Sequence, residues 1–157
     1  MKILEELAHT RAALLDAIAG LDEAALERKG AVGEWSIKNA LAHIAAWEAW
    51  AVQALPVRLA TGKTPEDFLA RIQDEDRFNA EEVAEREELT PSEQLIELER
   101  TREALLAELR GLDAAAWERS NPWDTWDGTL AEYLHESLVG HEQEHLAELR
   151  AAVESSG

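Results

Sequence analysis

Residues 11 to 28, RAALLDAIAGLDEAALER, recur without a gap as residues 102 to 119, REALLAELRGLDAAAWER, with 11 identities in 18 positions. The same offset pairs Trp35 with Trp126. Chains rich in alanine and leucine match one another by chance, and two similar helix ends would produce part of this likeness. The shared GLD and ER positions favour two related helix pairs, which restricts the chain to folds built from two similar halves.

Hydrophobic period fills in those halves with four long helices. The first is expected from about Ile3 to Ala19, with Ile3, Leu7, Leu14 and Ile18 on one stripe and Gly20 as a stop. The second starts at the N-cap Ser36 and runs through IKNALAHIAAWEAWAVQAL towards Pro56. The third begins at Thr90-Pro91 and ends at Gly111. The fourth opens after Asp127-Gly128-Thr129 and continues to about Val153. The charged segment 57–89 between the second and third is expected to be partly helical. A length of 157 residues suits one domain, 1–157, and a chain dominated by alanine, leucine and glutamate suits an all-α class.

Charge and cysteine content exclude several functions. A net charge of −18 repels the phosphate backbone, so no nucleic acid is expected as partner, and no anionic membrane surface. The most apolar stretch, residues 40 to 57, is interrupted by His43, Glu48, Gln53 and Pro56 and reads as a buried helix rather than a membrane span. The chain has no cysteine, which removes disulfides, thiolate nucleophiles and cysteine zinc sites. The start MKILEELAHTR becomes charged too soon for a secretory signal, and a cytoplasmic location is expected.

The chemistry concentrates in the fourth helix, where His141-Glu142-Gln143-Glu144-His145 matches HExxH. Thermolysin-type proteases complete that motif with a glutamate on a later helix, and only 12 residues follow His145. The longer metzincin form needs a histidine where Ala151 stands. Neither completion is present, so the protease reading fails. Leu134, Leu138, His141, His145 and Leu149 step by four, three, four and four, an inward face on which both histidines replace core leucines. Two imidazoles at i and i+4 can share one metal ion, although each could instead make a buried hydrogen bond.

A third ligand then has to come from upstream, and His43 is the best placed, on a helix of nearly all apolar neighbours. His135 turns away from the ligand face and His9 sits between stripe positions, so both read as solvated. At 1.5 Å per residue His43 lies on the order of 10 Å from the start of its helix, and His145 about 12 Å before the end of its own. The two meet at one level only if the second and fourth helices run antiparallel. The second and third must then run the same way, joined by a long crossover. The expected architecture is a four-helix bundle with up-down-down-up topology, in which a pseudo-two-fold axis relates the two repeats.

The block GEWSIKNALAHIAAWEAW, residues 33–50, resembles the signature of the DinB/YfiT-like superfamily, in which a tryptophan and a polar cap lead into a helix carrying LAHxxxWE. His141 and His145 match the late H-x-x-x-H of that superfamily, and His43 matches its early histidine. The segment RFNAEEVAEREELTPSEQLIELERTREALLAEL resembles the ClbS/DfsB-like branch and its neighbours. The resemblance spans nearly the whole chain and implies the same bundle and a three-histidine site for a divalent metal. It implies no single reaction, since members include thiol-dependent transferases and isomerases and a hydrolase-like resistance protein. A homodimer is also what the superfamily suggests.

Three neutral imidazoles leave a tetrahedral ion one open position, the pattern of a catalytic site. Zinc is the first expectation, with nickel, manganese or iron as alternatives. The leading reading is a metal-dependent enzyme acting on a small electrophile, with a low-molecular-weight thiol or water as the group transferred. The rival is a non-catalytic bundle that binds a metal or a small molecule without turnover, and a third reading makes the histidines plain core. Glu48 and Glu144 are candidates to bond an imidazole or act as base, each against the alternative of a solvated acid. Glu142 follows a ligand but sits about 100° around the helix and is expected towards solvent. Trp35, Phe78 and Asn79 are the expected pocket residues. Trp47 and Trp50 are expected in the core, and Trp117, Trp123 and Trp126 at the opposite end.

Overall fold

The computed structural model describes residues 1–156, and no β-sheet forms among them. Helix α1 spans Lys2–Ile18, α2 Glu23–Glu27, α3 Ile37–Thr61, α4 Glu66–Ile72 and α5 Glu75–Glu85. Helix α6 spans Pro91–Arg110, α7 Ala114–Glu118, α8 Leu130–Leu134 and α9 Gly140–Ser156. A π-helical turn, His135–Val139, joins α8 to α9, so the two form one long rod.

Side-chain chemistry sets the ends of these helices. Ser36 and Asn39 form a capping box on α3, Thr90 and Glu93 one on α6, and Thr129 and Glu132 one on α8. Each box satisfies two backbone donors that the helix leaves orphaned. Asp22 and Asp113, the aspartates of the two GLD repeats, each accept from a backbone N–H three residues on and start α2 and α7. The C-cap of α3 is Gly62 at φ 72°, a left-handed turn that any side chain would strain. Helix α3 runs five residues past Pro56, where the sequence suggests a stop. The proline faces solvent and forfeits one helical N–H while Ala54, Leu55 and Arg58 around it stay buried, so packing outweighs the local cost.

The topology is up-down-down-up. Lys38 near the start of α3 donates to the carbonyls of Glu87 and Leu89 just ahead of α6, so α3 and α6 run parallel. Arg58 near the end of α3 reaches Tyr133 in α8, while His43 near its start meets His141, so α3 and the α8–α9 rod run antiparallel. Helix α3 packs mainly along α6 and α1 mainly along α9. One apolar cluster, with Leu14, Ile37, Leu41 and Leu149, fills one end of the bundle, and a second, with Leu7, Leu55, Leu109, Trp123 and Leu134, fills the other. No described helix is long and apolar enough to cross a membrane.

Between the two clusters lies a buried quartet of charges: Arg11, Glu48, Arg102 and Glu142, each 8% exposed or less. Arg102 donates to Glu48 and, at 2.7 Å, to Glu142; Arg11 donates to Glu142 through Nε and Nη2 and to Glu48 through Nη2. The remaining donors obey the repeat. Arg11 Nη1 bonds the carbonyl of Leu98 and Arg102 Nη1 that of Leu7, and each of these leucines lies one helical turn before the other arginine. Both arginines are the first residue of their repeat block.

The quartet corrects two sequence expectations. Glu48 contacts no imidazole, because both its oxygens are taken by Arg11, Arg102 and Thr101. Glu142, placed towards solvent by helical angle alone, is 2% exposed. The π turn is the reason: it adds one residue to the rod and rotates everything after it. Glu48 stands twelve residues after its N-cap and Glu142 thirteen, so the extra residue brings the two glutamates to equivalent depth. The buried face of the rod therefore runs from Val139 in the π turn through Glu142, Leu146 and Leu149 of α9 rather than through the histidines.

Removing one member of such a group leaves an opposite charge buried and unpaired. Glu48→Gln is expected to lower the unfolding free energy by roughly 3 kcal/mol, read from the urea midpoint at constant m-value. The same variant should keep the metal content of the wild type, since Glu48 holds no imidazole. A loss of metal in folded protein would return Glu48 to the site.

Candidate metal centre

His43 sits two turns into α3, and His141 and His145 sit one turn apart at the start of α9. The π turn swings both α9 histidines off the core and towards α3, where they are half-buried, while His43 is 5% exposed. The three side chains offer nitrogen atoms that all lie within 4.8 Å of one another. His141 Nε2 is 3.0 Å from His43 Nε2 and 3.0 Å from His145 Nε2. A tetrahedral zinc with bonds of 2.0–2.1 Å spaces its nitrogen ligands about 3.3 Å apart, close to the two separations at His141.

The surroundings favour a cation there. The Nδ1 of His145 is 3.0 Å from Glu148 Oε2, an acceptor that places the imidazole proton on Nδ1 and leaves the Nε2 lone pair free. The Nδ1 of His43 is buried without a hydrogen-bond partner among the described residues. Burial pushes the His43 imidazolium down to about 3, helped by the neighbouring His141 and His145. Burial also lowers His141, to about 4, with His145 adding to the effect. Both imidazoles are therefore neutral at physiological pH, the form in which histidine ligates a metal. Three imidazole donors with no thiolate suit zinc, nickel or iron. The residues present fit a divalent ion.

The cluster forms one wall of a cavity of about 440 Å³. Helix α3 contributes His43, Trp47, Ala51 and Arg58, and the α8–α9 rod contributes Tyr133, Ser137, His141 and Glu144 on a single face. Helices α4 and α5, the crossover, roof this groove with Phe68, Ile72 and Asn79. Asn79 accepts from Trp47 Nε1 at 2.7 Å, which fixes both side chains at the wall.

Other expected pocket residues divide. Trp35 stacks obliquely on His43 at 5.1 Å between ring centroids, but it borders a shallow depression on the other side of that histidine. Phe78 is 1% exposed and packs among Trp47, Trp50 and Phe68, so it supports the wall rather than lining it. Trp47, expected in the core, lines the cavity. Glu144 is exposed and lies at the cavity edge. His9 is exposed, and His135 pairs with Glu6 at the surface. Arg58 and Tyr133 escaped the sequence reading, although Arg58 stands fifteen residues after His43 on an otherwise apolar helix face.

The crystal structure of an uncharacterised protein from Escherichia coli UTI89 has the same fold, with a TM-score of 0.76 and 14% identity over 98% of this chain and 92% of that one. No curated protein matches the chain. The family model of the DinB superfamily matches residues 6–149, nearly the whole of the bundle and all three histidines. With this fold, its crossover and its histidine cluster, the chain belongs to the DinB superfamily.

Proposed function

We propose that the protein is a metal-dependent enzyme in which His43, His141 and His145 hold one divalent cation, zinc first, and which transfers a thiol or water to a small electrophile. The observation that carries this reading is the convergence of three Nε2 atoms on the wall of a cavity whose volume suits a small molecule. A divalent ion held by these three imidazoles would make a nucleophile of a water or thiol at neutral pH. The protein's own groups would do the rest. Glu148 holds the tautomer of His145, and Trp47, Phe68 and Leu138 keep the interior of the cavity apolar. Glu144, next to a ligand and facing the cavity, is the carboxylate assigned to proton transfer.

The first test is metal content in protein purified without a metal-affinity tag. Wild type should carry about one divalent ion per chain, and His141→Ala should lose it. No metal after zinc or nickel is offered would sink the reading. In protein that does carry metal, Glu144→Gln should lower kcat on the active thiol–electrophile pair by about a hundredfold at unchanged metal content. Bound metal without turnover on any thiol or hydrolysable substrate would favour a binding bundle instead.

The lowered histidine pKa values give a pH signature for the metal-free protein. Below the unfolded value of 6.5, the unfolded chain takes up protons that folded His43 and His141 refuse until about 3 and about 4. This stability is complete above 6.5 and is lost as pH falls towards those folded values, at on the order of 1 kcal/mol per pH unit for each histidine. Urea unfolding at about pH 7 and about pH 5 should show a steeper loss for wild type than for His43→Gln. Equal losses would show that His43 is protonated as easily in the fold as outside it.

A further inference from the structure

Among the described residues four Arg and Lys side chains are buried: Arg11, Lys38, Arg58 and Arg102. Arg11 and Arg102 are matched by Glu48 and Glu142, and Lys38 bonds two backbone carbonyls with Glu27 nearby. Arg58 differs. Among the described residues no carboxylate lies within ion-pair distance of it, in a chain with 33 acidic residues. Its Nε donates to Thr64 Oγ1 at 3.2 Å and its Nη1 to the Tyr133 hydroxyl at 2.9 Å, both neutral partners. Its guanidinium lies 4.7 Å from the Trp123 ring centroid, 5.3 Å from that of Tyr133 and 5.6 Å from that of Phe68.

A buried cation without a counter-ion costs free energy that aromatic faces recover only in part. Arg58 also lines the same cavity as the histidines. Its Nη2 has no hydrogen bond among the described residues, and Tyr133, accepting from Nη1, keeps its own proton to donate. Ser137 adds a hydroxyl on the same wall, one turn on from Tyr133.

We propose that Arg58, with Tyr133 and Ser137, is an anion subsite that takes the carboxylate of an elongated organic acid whose other end reaches the histidine cluster. Tyr133 and His141 are eight residues apart on one rod, one of them the extra residue of the π turn, so about 10 Å separates them at the helical rise. The ligand is thus a chain molecule rather than a compact acid, and between its ends Ala51, Phe68, Ile72 and Leu138 offer apolar surface, with Glu75, Asn79 and Glu144 also on the lining. This inference deepens the proposed enzymatic reading by naming the substrate class, yet the subsite itself needs no metal.

Octanoate and octanamide, equal in length and differing in charge, are the probes, titrated by calorimetry into wild type, Arg58→Gln and Arg58→Lys, each as purified and after EDTA treatment. Octanoate should bind wild type roughly ten- to a hundredfold more tightly than octanamide, with or without metal. Arg58→Gln should abolish that preference while still binding both probes through the apolar wall, and Arg58→Lys should keep part of it. A purely structural role for Arg58 would leave the ratio unchanged in any variant that folds. If Arg58→Gln does not fold, the wild-type ratio and the lysine variant decide. Equal affinity for the two probes, no binding of octanoate, or a preference that disappears with EDTA would overturn the subsite. Absence of metal even after zinc or nickel is offered would defeat the enzymatic reading and leave this result standing.

Discussion

The quartet of Arg11, Glu48, Arg102 and Glu142 ties all four long helices together at one level, one residue from each. Its geometry is demanding, because buried charges are tolerated only when nearly every donor and acceptor is met. Two bidentate arginines, two carboxylates and two reciprocal main-chain carbonyls meet that condition. A slip of any helix by one turn would strand at least one charge. The quartet therefore defines register in a bundle whose alanine- and leucine-rich surfaces would otherwise pack in several ways.

The site follows from that register. With Glu142 drawn to the centre, the residues just before it and after it on α9 turn aside, and His141 and His145 face α3 beside the core. Because α3 packs mainly on α6, and α1 on α9, the groove between α3 and the α8–α9 rod is left to be roofed by the crossover helices. The cavity is the space this arrangement leaves. One end carries three imidazoles, with His43 and His141 held neutral by burial, and the other a guanidinium boxed by aromatic rings. The two ends differ in charge type, so a ligand lying along the groove has a defined direction.

Much of the fold was legible because its signals are local. The capping residues Ser36, Thr90 and Thr129, the proline at the start of α6 and the stripe on α1 each act within a turn or two of the chain. The repeat and the level of His43 against His145 then led to the topology. The legible signals ended where the helix stopped being regular. Steps of four and three assume 3.6 residues per turn, and the π turn at His135–Val139 breaks that assumption, so Glu142 was turned outwards and the histidines too far inwards. Pro56 misled in the same manner, since burial on both sides of it carries α3 through.

By itself the sequence determined an all-helical bundle of two related halves, with three histidines on two antiparallel helices, because periodicity, caps and repetition are properties of neighbouring residues. Only the tertiary structure decided which acids are buried. Nothing local distinguishes Glu48 and Glu142 from the many solvated carboxylates of so acidic a chain; their distinction is the pair of arginines that arrives from two other helices. The same holds in reverse for Arg58, whose lack of a carboxylate partner exists only once the chain is folded around it. Charge pairing acts through space over a few ångströms, and the chain alone does not say what will stand at that distance.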